Sequence, residues 1–406
     1  MSQPSTHTAA PTLTTPIILL MSAATGLIVA SNYYMQPLLH TIGQQFGLSE
    51  TAAGGVVTTA QLSYAAGLML LVPLGDMIER RALIVAMTLL AAVGLLISGF
   101  SNSIAMLLAG TAITGFLSVV AQVLVPFAAT LASPQQRGKA VGTVMSGLLL
   151  GILLARTFAG VLAGLGSWRT VYWVAAALML GMAGALWRML PRYKTPTDLD
   201  YGGLLASIFH LYAREPLFRA RSVLGALIFT SFSMLWTPLT FLLANPPYSY
   251  GDGTIGLFGL AGAAGAIAAN RYGRLSDRGR GNVATRAGLA LLLGSWGLLA
   301  LGAHSLAALL AGIIVLDMAI QGVHVTNQSA IYRLRPDARS RLTAGYMTSY
   351  FIGGAAGSLA SAALYAHAGW AGVATGGAAV SAVALAYAWV APSARIPESP
   401  PAPSRA

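Results

Sequence analysis

Four polar side chains on one predicted helix have the spacing of a surface that could bind and release a proton. Asp317, Gln321, His324 and Gln328 follow one another at intervals of four, three and four residues, which puts them on one face of an α-helix. A histidine or an aspartate can exchange a proton there. The pattern predicts one wall of a polar cavity, and hydrogen bonding between helices without a ligand is the alternative.

Arg156 is the one basic residue deep inside a predicted helix, where a guanidinium needs a counter-charge or water. Asp317 lies roughly 16 Å along its own helix and is the only acid at comparable depth. We therefore expect the two to pair, or to compete for each other with a substrate or a proton between them. Alternatively, Arg156 reaches the membrane surface or binds backbone carbonyls.

Further polar and aromatic residues in the predicted helices are candidates for the same lining. They are Asn32, Tyr33, Tyr34, Gln36, Gln61, Tyr64, Gln122, Trp236, Asn327, Tyr346 and Tyr350. Tyrosine and tryptophan near helix ends more often belong to the interfacial aromatic belt. Gln122 precedes His324 by 202 positions, so the two halves of the chain present unlike groups at equivalent places, as a site that orients one substrate would.

These side chains must be positioned by helices in lipid. Hydrophobic residues make up 56% of the 406 residues, charged residues only 8%, and mean hydropathy is +0.70, which indicates an all-α membrane protein. Twelve transmembrane helices are predicted near 16–39, 51–74, 83–101, 104–131, 139–163, 169–190, 218–244, 254–273, 284–303, 306–331, 342–366 and 371–391.

The basic residues alternate with these helices. Of 23 Lys and Arg residues, 21 fall on one side of the predicted topology, the exceptions being Arg156 and Arg169. The positive-inside rule then predicts cytoplasmic termini. A net charge of +12 distributed in this way does not indicate nucleic-acid binding. The chain has no cysteine, and the absence of Lys and Arg before residue 17 argues against a cleaved signal peptide.

An internal repeat divides the chain. Pro134, Arg137 and Lys139 recur as Pro336, Arg339 and Arg341, and Trp168 recurs as Trp370, each 202 positions later. We expect a tail over 1–15, a six-helix bundle over 16–190, a linker with an interfacial helix over 191–217, a second six-helix bundle over 218–391 and a tail over 392–406. Parallel repeats of this kind suit a transporter with its site between the halves.

The loops after the second and eighth helices carry a family signature. Residues 72–81 and 273–280 resemble the Gly-x-Leu-x-Asp-Arg-x-Gly-Arg-Arg motif of the major facilitator superfamily, although Val72, Met77 and Glu79 depart from it. The resemblance implies a cytoplasmic gating latch, and simple electrostatic anchoring of the loops is the alternative. Its residues here are Asp76, Arg80, Arg81, Asp277 and Arg278.

Within that family the chain resembles the bacterial inner-membrane efflux branch, which includes drug, sugar and nucleoside exporters. The resemblance implies a monomer in the lipid bilayer that exports a small-molecule substrate by alternating access, coupled to protons. A proton-coupled importer or a facilitative uniporter of a polar solute is the alternative, and a channel or receptor is harder to exclude. The sequence has no HExxH or P-loop motif, so we expect no enzyme, no metal and no cofactor.

Overall fold

The fold is given by a computed structural model that describes residues 13–133, 135–194, 200–262, 272, 275, 280–335 and 338–392. Every regular element in these ranges is helical. The α-helices are α1 Thr15–Ala30, α2 Leu39–Phe46, α3 Glu50–Leu70, α4 Arg80–Gly99, α5 Ile104–Leu117, α6 Val120–Leu131, α7 Arg137–Gly164, α8 Trp168–Met189, α9 Tyr201–Arg214, α10 Pro216–Trp236, α11 Leu239–Ala244, α12 Asp252–Leu257, α13 Gly281–Ala300, α14 Leu306–Tyr332 and α15 Arg339–Val390. Short 3-10 helices cover Gln36–Leu38, Val72–Asp76, Phe258–Gly262 and Leu301–Ala303.

The helices have the lengths that a bilayer demands. Within the described ranges, nine helical stretches are long and apolar enough to cross a membrane, and α1 is a shorter apolar helix. The predicted eighth helix is described from Asp252 to Gly262; most of its remainder lies outside the described residues. The predicted all-helical membrane fold is confirmed.

Helix α15 is two membrane crossings joined at a glycine. Its 52 residues would extend about 78 Å, more than twice the hydrocarbon core. Gly369 has φ 59° and ψ −155°, a conformation that suits glycine. A Cβ on Gly376 would lie 2.5 Å from the side chain of Leu364, although twelve residues of straight helix span about 18 Å. The chain therefore reverses at Gly369, within the predicted gap between the last two helices.

Three predicted helices are interrupted where the sequence analysis expected continuous ones. The first changes to turns and a 3-10 helix between α1 and α2, and the seventh breaks between α10 and α11. Pro37 and Pro238 lie at these breaks. Proline interrupts a helix because it lacks the backbone N–H and its ring clashes with the preceding turn. The fourth breaks at Ser118, whose hydroxyl donates to the Thr114 carbonyl at 2.7 Å. These breaks consequently place polar side chains in the middle of the helical bundle.

The sequence repeat is also a repeat of packing. A Cβ on Gly151 in α7 would lie 2.2 Å from the Gly26 carbonyl oxygen in α1, and one on Gly353 in α15 would lie 2.1 Å from that of Ala226 in α10. Gly151 and Gly353 are 202 positions apart. Contacts this close between backbones require glycine. Equivalent helix pairs thus pack alike in the two halves.

The segment between the halves forms a helix of its own. Asp200 caps α9 by accepting from the Gly203 N–H at 3.0 Å, and Leu204 and Ile208 on one face are buried. Tyr212 donates to the Gly345 carbonyl at 2.7 Å. Tyr201 at the start of the helix donates to the Leu70 carbonyl of α3 at 2.8 Å, so the helix contacts both halves. The exact division of the chain into domains stays a prediction.

Candidate functional site

The site is assembled from four separate parts of the chain. The break after α1 presents Tyr33 and Gln36, α7 carries Arg156, the end of α10 carries Trp236, and the middle of α14 carries Asp317. All five side chains are buried. The halves therefore meet at a cluster that contains both deep charges.

Arg156 is surrounded by aromatic rings and one amide. Its Nε donates to the Gln36 Oε1 at 2.7 Å, and its guanidinium carbon lies 3.9 Å from the Trp236 ring centroid and 5.1 Å from that of Tyr33. Phe232, one turn before Trp236, adds a third ring at 5.6 Å. Such cation–π contacts stabilise a desolvated guanidinium by about 2 kcal/mol or more.

Asp317 lies on the other side of the same tryptophan. The Trp236 Nε1–H donates to the Asp317 Oδ1 at 3.3 Å, while the face of the indole ring contacts Arg156. Among the described residues the ion pairs within 4.0 Å are Arg80 with Asp76 and Arg335 with Glu215. Arg156 and Asp317 are therefore separated, and Trp236 connects them.

The 3-10 segment Phe258–Gly262 covers this arrangement. A Cβ on Gly259 would lie 2.9 Å from the Arg156 Cβ, and one on Gly262 would lie 2.6 Å from the Asp317 Oδ2. Residues three apart share a face in a 3-10 helix. The two glycines therefore let the backbone of the second half approach both charges.

Two donors in the cluster have no acceptor among the described residues. The Arg156 Nη2 and the Gln36 Nε2 are buried without a hydrogen-bond partner there, although the same two side chains bind each other through other atoms. An unpaired buried donor costs about 1–3 kcal/mol. The arrangement is ready to accept a group that brings an oxygen.

A second predicted set forms an aromatic cluster next to α15. The His324 Nδ1 lies 3.0 Å from the Tyr346 hydroxyl, and the ring centroids of His324 and Tyr350 are 4.8 Å apart. Tyr64, on α3 in the first half, packs on Phe351 with centroids 4.2 Å apart. His324 therefore contacts tyrosines, and Trp236 is the described partner of Asp317.

Other predicted lining residues lie elsewhere. Asn32 borders a small cavity inside the first half with Ser98, Thr111 and Tyr172. The side chains of all four carry buried polar atoms that have no partner among the described residues. Such a polar cavity is suited to ordered water.

The remaining predicted residues divide between packed and polar surroundings. Tyr34 packs on Phe158 with centroids 5.6 Å apart, and Asn327 accepts from Arg221. Gln61 is buried with its Oε1 unpaired. Gln122, Gln321 and Gln328 are partly buried.

Sequence reasoning did not identify Phe232, Gly259 and Gly262. The four-residue spacing from Phe232 to Trp236 puts the two rings on one helix face and was a usable signal. Gly259 and Gly262 gave no such signal, because the role of a glycine depends on which backbone faces it.

The halves also contact each other at the helix ends remote from the basic loops, which we call the far face. The Thr41 hydroxyl is 2.8 Å from both carboxylate oxygens of Asp252, and Thr157 donates to the Gly256 carbonyl at 3.1 Å. Partial burial raises the pKa of Asp252, and the hydrogen bond from Thr41 opposes that rise. The far face is closed at these residues.

The first signature loop is held by local interactions. Arg80 is buried, forms an ion pair with Asp76 at 3.2 Å and donates through Nε to the Gly75 carbonyl at 3.0 Å. Glu79, a departure from the motif, caps α4 by accepting from the Arg81 and Ala82 N–H groups. Asp277 and Arg278 of the second loop lie outside the described residues.

Comparisons with known proteins agree with this architecture. The profile of the family described as the Major Facilitator Superfamily matches residues 21–332 and 272–406. The chain is 60% identical over 377 residues to the uncharacterized transporter YgaY of Escherichia coli O157:H7, covering 93% of this chain and 96% of that protein. It is 28% identical over 258 residues to the inner membrane transport protein YnfM of Escherichia coli K12, covering 62% of this chain and 61% of that protein.

A solved structure shows the same fold at low identity. It is a bacterial homolog of the human lysosomal transporter Spinster in an inward-facing and unoccupied conformation, with a TM-score of 0.72 and 16% identity, covering 92% of this chain and 95% of that chain. The chain therefore belongs to the major facilitator superfamily: it is a multi-pass membrane protein that transports a solute, and it is not an enzyme.

Proposed function

We propose that this transporter exports a small organic molecule across the bacterial inner membrane by alternating access, in exchange for protons. One observation carries the proposal. Arg156 and Asp317, from opposite halves, are buried at the contact between the halves and touch the same indole ring. Intramembrane ionisable groups are costly and mark transport pathways.

The chemistry of the cluster favours a polar or zwitterionic solute. The unpaired donors on Arg156 and Gln36 suit a carboxylate or another oxygen acceptor. Asp317 and the rings of Tyr33 and Trp236 suit an ammonium group. A solute with both groups would replace the long-range attraction between Arg156 and Asp317 with two direct contacts.

Exchange follows if the solute and the proton compete for one carboxylate. An ammonium group beside Asp317 excludes a proton there, and a proton on Asp317 removes the charge that holds the ammonium group. A protein that carries either one, but not both, exchanges them across the membrane. Importing one solute with a proton would instead require both to bind at once.

The face of the protein that carries the basic loops, opposite the far face, would open and close through the signature loops. We propose that Asp76, Arg80 and Arg81, with Asp277 and Arg278, form a cytoplasmic latch, and the ion pair of Asp76 with Arg80 supports this role. Both termini would be cytoplasmic, as the distribution of basic residues suggests. The working unit would be a monomer.

The first experiment identifies the solute. Purified full-length protein is screened by thermal shift against amino acids, nucleosides, sugars, drugs and metal chelators, because a ligand that binds the folded state raises its melting temperature. Proteoliposomes with an imposed pH gradient in either direction then reveal the direction of transport.

The coupling is tested with Asp317→Asn, which keeps the shape of the side chain and removes its charge. We expect gradient-driven transport to fall at least tenfold, because Asn binds no proton, and solute exchange without a gradient to weaken as well, because Asn lacks the charge that holds the ammonium group. Glu50→Gln, a helix-end acid remote from the cluster, is the control and should behave as wild type.

Three results would contradict parts of the proposal. Wild-type gradient-driven rates in both Asp317→Asn and Arg156→Ala would eliminate the cluster as the coupling site. Accumulation of solute on the acidic side would support exchange, whereas accumulation on the alkaline side would identify an importer, and flux indifferent to pH would identify a uniporter.

A further inference from the structure

A second buried arginine lies in the other half, far from the cluster just described. Arg221 in α10 is only 4% exposed and borders a cavity between α10, the start of α13 and the end of α15. Asn282, Thr285 and Arg286 line the same cavity, which lies at the end of the bundle that carries the basic loops. Two positive charges thus share one pocket.

The partners of Arg221 are all neutral. It donates to the Asn282 Oδ1 at 2.7 Å, the Thr285 Oγ1 at 3.1 Å and the Asn327 Oδ1 at 3.2 Å. Its Nε is buried and has no partner in the part of the chain that the structure describes. Among the described residues no carboxylate lies within 4.0 Å of it. A buried cation without a counter-ion is strongly unfavourable, so a missing anion is indicated.

The surroundings add positive potential. Asn282 and Thr285 belong to the first turns of α13, and the N-terminus of a 20-residue helix carries a partial positive charge that favours anions. Arg286 at the rim is partly exposed; it stacks on Trp389 with 4.1 Å from guanidinium carbon to ring centroid and donates to the Ala388 carbonyl at 3.5 Å. The guanidinium groups of Arg221 and Arg286 and the helix end therefore favour a negative group.

The first half provides a natural comparison. Arg81 stacks on Trp187 at 4.4 Å, as Arg286 stacks on Trp389, and Trp187 and Trp389 are 202 positions apart. The position equivalent to Arg221 is Leu19, and Arg80, the buried arginine at the same end of the first half, has its acid in Asp76. Among the described residues at this end of the bundle, Arg221 is the buried arginine that has no acid within 4.0 Å.

We propose that this pocket binds a phosphate group, either the headgroup of an anionic phospholipid or a free phosphate ion. The phosphate oxygens accept from the Arg221 Nε and from Arg286 at the mouth of the pocket. Trp389 is 64% exposed and Val390 is 81% exposed beside that mouth, which offers an apolar surface for acyl chains. Basic pockets between helices on the cytoplasmic side are suited to such headgroups.

The test uses native mass spectrometry of the full-length protein in detergent with phosphatidylglycerol or phosphatidylcholine added. We expect wild type to retain phosphatidylglycerol in preference to phosphatidylcholine. Arg286→Gln should weaken that retention about fivefold, the value for one basic group near an anionic surface. Arg81→Gln, with the same charge change and the same stacking geometry, should retain the lipid as wild type does.

A second arm distinguishes the source of the phosphate. Melting temperature is measured in inorganic phosphate and in chloride at equal ionic strength. Stabilisation by phosphate as large as that by phosphatidylglycerol would identify a free-ion site, and stabilisation by the lipid alone would identify a headgroup site.

Arg221→Gln is measured in both arms and should lose the response to lipid and phosphate while remaining monodisperse. If it does not fold, Arg286→Gln decides alone, because that side chain is at the rim. The proposal is overturned if wild type and Arg286→Gln bind both lipids equally and phosphate has no effect on either.

Discussion

At the residue scale, Trp236 performs two tasks with one side chain. The ring face contacts the guanidinium of Arg156, and the ring edge donates to Asp317. A change in the charge of Asp317 therefore acts on the Trp236 indole, which holds Arg156 in position. A direct ion pair would lock the two charges together, whereas the intervening indole keeps them apart, and under the proposed function each can then bind one group of the solute.

The contribution of that single donor is tested by Trp236→Phe, which keeps a ring for Arg156 and removes the N–H. A hydrogen bond to a charged group contributes about 1.5–3 kcal/mol, so gradient-driven transport of the screened solute should fall roughly tenfold or more. Exchange without a gradient should change less, because the stacking contact remains.

Trp296→Phe is the matched control for that experiment. Trp296 is also buried and donates to the Ser231 Oγ at 2.9 Å, so its substitution removes an equivalent donor outside the cluster. Equal losses of driven transport in both variants would show a general effect on folding and contradict a specific role for Trp236.

At the element scale, helix breaks and glycine contacts position the site. The polar residues of the first predicted helix reach Arg156 because the helix unwinds before Pro37, and the segment Phe258–Gly262 approaches both charges because it presents glycines to them. Close contacts of α1 with α7 and of α10 with α15 then hold each half together as a body.

Those close contacts predict that a larger side chain at either of two positions destabilises the folded protein. Gly151→Leu and Gly353→Leu would each drive a side chain into a facing backbone carbonyl, and overpacking costs about 1–3 kcal/mol or more. We expect lower melting temperatures and less monodisperse protein for both variants, of similar size because the contacts are equivalent.

Gly181→Leu provides the comparison, since a Cβ at Gly181 in α8 meets nothing within 4 Å. It should be stable. A melting temperature for Gly151→Leu equal to that of Gly181→Leu would show that the backbones of α1 and α7 are free to separate.

At the scale of the whole molecule, contact between the halves at the far face defines the conformation described. Thr41 belongs to the first half and Asp252 to the second, and their hydrogen bond is partly shielded from water. Alternating access requires these contacts to open. The protonation of Asp252 is therefore linked to the opening.

The sign of that linkage follows from the raised pKa of Asp252. In the open form the carboxyl group faces water and titrates near its ordinary value of about 3.9, while burial in the closed form raises its pKa. The closed form binds the proton more tightly, so closure is favoured below the ordinary value. This advantage is lost as pH rises through the raised value.

Because the chain has no cysteine, the opening can be measured with two spin labels, at Gln44→Cys and Gly251→Cys. We expect the short-distance population to grow on acidification, and Asp252→Asn to abolish that dependence on pH. A pH dependence that persists in Asp252→Asn would assign the effect to another group.

The sequence by itself determined the membrane class, the gap between the last two helices and the duplication, because these follow from composition, from the pattern of apolar runs and from a constant offset between matching residues. It also identified Arg156 and Asp317, since deep charges are rare enough in such a chain to be conspicuous. It did not reveal that Arg80 is held by Asp76 four residues away, while Arg221 has no acid within 4.0 Å among the described residues. Which carboxylate comes near a guanidinium depends on the facing helix.

Only the tertiary structure decided that Trp236 separates the two deep charges, that His324 contacts tyrosines, and that glycines of another segment cover the cluster. Periodicity tells which residues share a face of one helix, but not which face of which helix lies opposite. That choice is made by packing between different segments of the chain, where the shapes of side chains and the positions of glycines determine how closely backbones approach.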